Sequence, residues 1–132
     1  MKHHLQILFT LLTIALLLPL SSAHAEESEA SQGKLRHVVC LKFSEDITEA
    51  QIQEIVDIIA ELPNNIPEVK MVEGGKNVSI EDKDKGFTHC FTMTFDSMED
   101  LKVYLPHEDH LALVEKVKPL LSDVFVVDYW VK

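Results

Sequence analysis

The chain has 132 residues, 22 of them acidic against 12 basic, for a formal net charge of −10. That length holds one domain with a modest core. The acidity argues against nucleic acid and anionic membrane surfaces as partners, since both require a basic stripe.

The first residues read as an export signal. Lys2, His3 and His4 make a short basic start, Leu5 to Leu20 is almost wholly apolar, and Ala23-His24-Ala25 is a small-x-small cleavage site. Residues 1–25 are therefore expected to be a signal peptide, the apolar run being short for a membrane span. Cleavage would send a chain of 107 residues, Glu26 to Lys132, to the periplasm or the medium, with no membrane association afterwards. Losing Lys2 leaves 11 bases against 22 acids, a formal charge of −11. Residues 26–34 open with EESEASQG, polar and without periodicity, and are expected to form a flexible leader. The folded domain is expected over 35–132.

Leu35 to Phe43 alternates, with Leu35, His37, Val39, Leu41 and Phe43 on one face and Arg36, Val38, Cys40 and Lys42 on the other. A helix follows, with Thr48 as N-cap and Gln51 completing a capping box. Ile52, Ile55, Val56, Ile59 and Leu62 keep helical spacing, and Pro63-Asn64-Asn65 is expected to end it. Val69 to Val78 is a second strand, bent at Gly74-Gly75. The charged loop EDKDKG, residues 81–86, leads to a third strand, Phe87 to Phe95, with His89, Phe91, Met93 and Phe95 on one side and Cys90, Thr92 and Thr94 on the other.

Ser97 with Asp100 starts a short helix reaching Leu105, and Pro106 is placed in the first turn of the next one. Leu111, Val114, Val117 and Leu121 mark that helix's expected buried stripe. Val124 to Val131 is a last strand, apolar on both faces apart from Asp128.

The order β-α-β-β-α-β, with a split second helix, predicts a ferredoxin-like α+β domain: an antiparallel sheet covered by helices on one face. Its other face, carrying Val38, Cys40, Cys90, Thr92 and Thr94, is only half polar, so sheet-to-sheet dimerisation is expected. Cys40 and Cys90 would share that face. A disulfide between neighbouring strands and a pair of buried thiols are both compatible with the pattern.

Four histidines remain in the domain. His37 and His89 sit on the apolar strand face that meets the helices, and two together favour a polar cavity over structural hydrogen bonding by roughly two to one. Tyr104, His107 and His110 succeed one another at intervals of three, near one face of a helix. His110 aligns with Val114 and Val117 and should point inward, which makes it the leading candidate for chemistry. His107 is as readily an exposed helix-start residue. Glu108 and Asp109 complement the positive end of the helix dipole. The His107-x-x-His110 spacing is not that of a specific zinc motif, so no metal is assigned. There is no phosphate loop, nucleophile elbow or dinucleotide fingerprint, and no cofactor is expected.

The opening strand L-R-H-V-V-C-L-K-F, the segment G-K-N-V-S at Gly75 to Ser79, G-F-T-H at Gly86 to His89, and Y-L-P-H-E-D-H at Tyr104 to His110 together resemble the stress-responsive A/B barrel, or Dabb, family. The resemblance runs from about Leu35 to Val131 and implies a dimeric α+β barrel. It is strongest to plant polyketide cyclases of that family. By that likeness His110 is a general base, Tyr104 assists it, and His37, His89 and His107 line or support the pocket. The chain departs from the family's His-Pro-x-His pattern, since Pro106 precedes His107 and Glu108 follows it. Glu108 adds a carboxylate that would raise a neighbouring histidine's pKa.

Two functions follow as expectations. One is an exported homodimer that binds a small organic ligand in a His/Tyr-lined cavity, with acid-base chemistry of a cyclase or isomerase kind. The other is a non-catalytic, stress-associated binding or interaction dimer whose histidines are structural. A weaker third is a monooxygenase-like or haem-handling relative, since those share the dimeric barrel.

Overall fold

The computed structural model describes residues 32–132, so the signal peptide expected over 1–25 and the leader residues 26–31 lie outside the described residues. Strand β1 spans Leu35–Phe43, helix α1 Glu49–Asn65, β2 Met71–Lys76, β3 His89–Phe95, α2 Met98–Tyr104 and α3 Glu108–Val117. A 3-10 turn, Lys118–Leu120, then leads into β4, Leu121–Trp130. The four strands form one antiparallel sheet in the order β2-β3-β1-β4. This is the expected ferredoxin-like α+β arrangement. No helix among the described residues is long and apolar enough to cross a membrane.

The helix starts are local hydrogen-bond devices. The Thr48 hydroxyl accepts from the Gln51 N–H at 3.3 Å, while the Gln51 side chain accepts from the Thr48 N–H at 3.1 Å. The Ser97 hydroxyl accepts from the Asp100 N–H at 3.1 Å. Helix α1 runs through Pro63 and ends at Asn65, the last residue of the triplet expected to stop it. The ring interrupts one hydrogen bond, and the helix still closes with Ile66 N–H donating to the Leu62 carbonyl at 2.8 Å.

Alternation on β1 and β3 builds the core. Leu35, Leu41, Phe43, Phe91, Met93 and Phe95 are buried against Ile55, Ile59 and Leu62 of α1, Leu101 of α2, and Leu113 and Val117 of α3. The expected stripe on α3 is corrected. Leu113 and Val117 are buried, whereas Leu111 and Val114 are exposed. The cause is the helix start: His107 is the N-cap and Pro106 precedes it, so Pro106 is not in the first turn. That phase turns His110, Leu113 and Val117 inward together.

Gly74 is required where β2 crosses β3. A Cβ there would stand 2.2 Å from the Cys90 carbonyl oxygen and 2.7 Å from the Phe91 Cα, with φ at +148°. At the other edge β4 is bare on both faces. Val124 and Val126 on its helix side, and Phe125, Val127 and Tyr129 on the other, are all about half exposed. Helix α1 packs toward β2, away from β4, which leaves an opening beside the last strand.

Candidate functional site

A cleft of about 740 Å³ occupies that opening, between the helix side of β1 and β4 and the helix α3. Its apolar walls include Leu41, Met93, Leu113 and Val117, and its polar lining includes His37, Tyr104 and His110. The break between α2 and α3 brings the last two together. Tyr104 ends α2, Leu105 to His107 turn the chain, and His110 comes back in the first turn of α3 with its ring 4.3 Å from that of Tyr104.

His110 is held in one tautomer. Its Nδ1–H donates to the Leu105 carbonyl at 2.8 Å, so Nε2 is the unprotonated nitrogen of the neutral ring. Burial pushes its pKa below the ordinary histidine range, the Leu105 carbonyl pulls it back upward, and His37 and His107 add further lowering. The expected upward shift from Glu108 is thus corrected, because Glu108 is an exposed helix residue and burial dominates. Tyr104 is almost wholly buried, and burial drives its phenol pKa far upward, so it is a hydrogen-bond donor at all ordinary pH. No buried side-chain oxygen or nitrogen among the described residues lacks a partner.

His37 meets the edge of Tyr104 at a ring separation of 5.9 Å. Its Nδ1 lies 2.7 Å from the Asp128 carboxylate, directly across from it on β4. Asp128 is the residue that sequence reasoning left without a role. Its signal was a single acid on an otherwise apolar run, and what was missing was the register that pairs it with a histidine.

Two predicted site residues lie elsewhere. His89 shares the sheet face with His37 but does not line this cleft. It pairs with Leu41, whereas His37 pairs with Met93, four residues and roughly 13 Å further along β3. There it stacks on Phe91, meets the edge of Phe43, and bonds through Nδ1 to the Thr88 hydroxyl at 3.0 Å. Burial and the charge of Lys76 lower its pKa. His107 caps α3, its Nδ1 accepting from the Asp109 N–H at 3.3 Å, and it too is outside the cleft lining. Among the described residues no three metal-ligating side chains gather.

This arrangement can hold an apolar molecule against a base, Nε2 of His110, and a hydrogen-bond donor, the Tyr104 hydroxyl. The chain is 34% identical to olivetolic acid cyclase of Cannabis sativa over 95 residues, 72% of this chain and 94% of that one. Among solved structures it is similar to the hydroxynitrile lyase of Passiflora edulis, with a TM-score of 0.72 and 25% identity over 77% of this chain and 95% of that one. A dimeric ferredoxin-like protein from Thermobifida fusca shares the fold, with a TM-score of 0.65 and 21% identity over 75% of this chain and 92% of that one. The family model described as Stress responsive A/B Barrel Domain matches residues 35–131, and the chain belongs to that Dabb family.

Proposed function

We propose that the protein binds a small organic carbonyl compound in the cleft beside β4 and removes a proton from the carbon next to its carbonyl. His110 Nε2 takes the proton, the C–H electron pair moves into the carbonyl to form an enolate, and the Tyr104 hydroxyl hydrogen-bonds the developing oxyanion. The observation that carries this reading is the Leu105–His110 hydrogen bond, which spends Nδ1–H on a backbone carbonyl and leaves Nε2 as the base beside Tyr104. A depressed pKa keeps that ring neutral, hence basic, at neutral pH. The names of two relatives, a cyclase and a hydroxynitrile lyase, support carbon acid chemistry on this scaffold.

The test is deuterium exchange into an alkyl-substituted 1,3-diketone, followed by NMR at a pH where buffer exchange is slow. The wild-type protein should accelerate exchange above the buffer rate, and His110→Ala should return it to that rate. Equal rates with and without protein would remove the catalytic reading.

The working form is a homodimer. The exposed strip of Phe125, Val127 and Tyr129 on the outer face of the sheet, and the dimeric description of structural neighbours, support a second copy there. Sedimentation at micromolar concentration checks it, and a monomer would overturn it. A non-catalytic binding dimer is the second reading, favoured by the same apolar strip. It predicts ligand-dependent stabilisation with no exchange. The signal peptide read at residues 1–25 adds export, to be checked by N-terminal sequencing of protein recovered outside the cytoplasm.

A further inference from the structure

The cleft beside β4 holds a second imidazole, on the wall opposite the first. His37 belongs to β1, in the sheet wall, and His110 to α3, in the helix wall, with the Tyr104 ring 5.9 Å from one and 4.3 Å from the other. An ionised carboxylate only accepts, so the 2.7 Å contact with Asp128 places a hydrogen on Nδ1 of His37, as the Leu105 carbonyl does on Nδ1 of His110. Each ring is left with its Nε2, and neither Nε2 bonds to another group among the described residues. Nor does the Tyr104 hydroxyl. Since no sealed side-chain nitrogen or oxygen among the described residues lacks a partner, these three atoms open into the cleft that their side chains line.

The two anchors differ in charge. His110 leans on a neutral carbonyl, which suits a ring that works as an uncharged base. His37 leans on a carboxylate, which balances a positive ring and suits a group that starts with hydrogens on both nitrogens. Besides burial, the largest cause lowering the His110 pKa, the charge of His37 lowers it further. A proton on His37 thus discourages one on His110, and the walls divide into one charged and one neutral ring. A base alone returns its proton to the carbon it came from, whereas an acid on the facing wall can deliver one to a different carbon.

We propose that His37 is the general acid of this cleft and that the substrate is a β,γ-unsaturated ketone, which the protein converts to its conjugated α,β-unsaturated isomer. This function rests on the enolate chemistry assigned above to His110 and Tyr104. His110 Nε2 removes a proton from the carbon between the carbonyl and the double bond. The C–H electron pair moves into the carbonyl, giving a dienolate whose oxygen the Tyr104 hydroxyl holds. The oxygen pair then re-forms the carbonyl, a double bond forms between the α and β carbons, and the former β,γ pair takes the Nε2 proton of His37 at the γ carbon. His110 releases its proton to solvent and His37 regains one, so substrate and product differ only in the place of one hydrogen and one double bond. The apolar walls, Leu41, Met93, Leu113 and Val117, suit the unsaturated hydrocarbon part. The cleft lies on the helix side of the sheet, so a second copy on the outer face leaves it open.

The experiment gives the full chain cyclohex-3-enone, with conversion to cyclohex-2-enone followed by ultraviolet absorbance and exchange at the α carbon followed by NMR in deuterium oxide. The wild-type protein should accelerate both above the buffer rate. His37→Gln should slow isomerisation at least about 100-fold and α exchange by no more than about 10-fold, so the ratio of isomerised to exchanged ketone falls about 10-fold or more. Asp128→Asn, which keeps the ring, should lower that ratio too, and it decides the matter if His37→Gln does not fold. In ordinary water, ketone carrying deuterium at the α carbon should give product with none at the γ carbon. Exchange without isomerisation, deuterium carried from α to γ, or an unchanged ratio in the folded variants overturns His37 as the acid and leaves enolate formation by His110 standing. Neither exchange nor isomerisation of this ketone, from a protein that also fails to exchange the diketone, overturns the enolate chemistry and this function with it.

Discussion

His37 and Asp128 occupy directly paired positions on β1 and β4, with Nδ1 2.7 Å from the carboxylate, so an acid of the edge strand orients a histidine buried at the cleft. Asp128→Asn preserves the shape and removes the charge. Because the carboxylate is 38% exposed, water already screens part of the interaction, and the expected loss of stability is about 1 kcal/mol by urea denaturation. Exchange into the diketone should fall roughly 10-fold as His37 loses its fixed tautomer. Unchanged stability and unchanged exchange would show that the pair holds nothing in place.

The pH dependence of folding has a definite sign. His110 titrates below its ordinary value of 6.5 in the folded protein, so the unfolded chain binds more protons in the interval between the two values. Stability gained from the neutral ring is therefore fully present above about 6.5 and is lost as pH falls below it, until the folded-state value is passed. His89, also lowered, acts in the same direction. Thermal melts from pH 8 to 5 should show the midpoint dropping on the acid side, and His110→Gln should flatten part of that slope. A midpoint rising on acidification would contradict the burial of both rings.

What was legible in the sequence was local. The caps at Thr48 and Ser97 join residues three apart, and the alternation of Leu35 to Phe43 reports which face each side chain takes, so both survive inspection. Register is different, because it depends on which residues of distant strands oppose one another. Alternation put His37 and His89 on one face and could not show that His37 pairs with Met93, four residues along β3 from His89. The same lack hid the pairing of Asp128 with His37. Pro106 could be seen to disturb the Tyr104 to His110 segment, yet only the fold shows that His107, not the proline, starts α3 and so sets which residues turn inward.

Gly74→Ala should be among the most damaging small substitutions in the domain. A methyl would strike the Cys90 carbonyl and the Phe91 backbone, neither of which can swing aside, at a φ that side chains rarely adopt. The expected loss is roughly 2–4 kcal/mol, with β2 amide protection falling in hydrogen exchange. Thr48→Ala, which removes only a cap, should lose about 1 kcal/mol and leave β2 protected. If the two variants proved equally stable, the close crossing of β2 over β3 would be wrong.

Tyr104→Phe separates packing from chemistry. The ring is among the largest fully buried side chains and packs against Phe95, His37 and His110, so its volume must be kept. Removing the hydroxyl alone leaves those contacts intact, and stability should change by less than about 1 kcal/mol. The developing enolate would then lack its donor, and exchange should slow by about 10-fold or more while the affinity for the diketone changes little. Tyr104→Ala, in contrast, should lose roughly 3–5 kcal/mol by opening a cavity beneath α2. A Tyr104→Phe variant that unfolds would give the hydroxyl a structural bond in the folded protein. One that keeps full exchange activity would take the hydroxyl out of the chemistry and leave His110 to act alone.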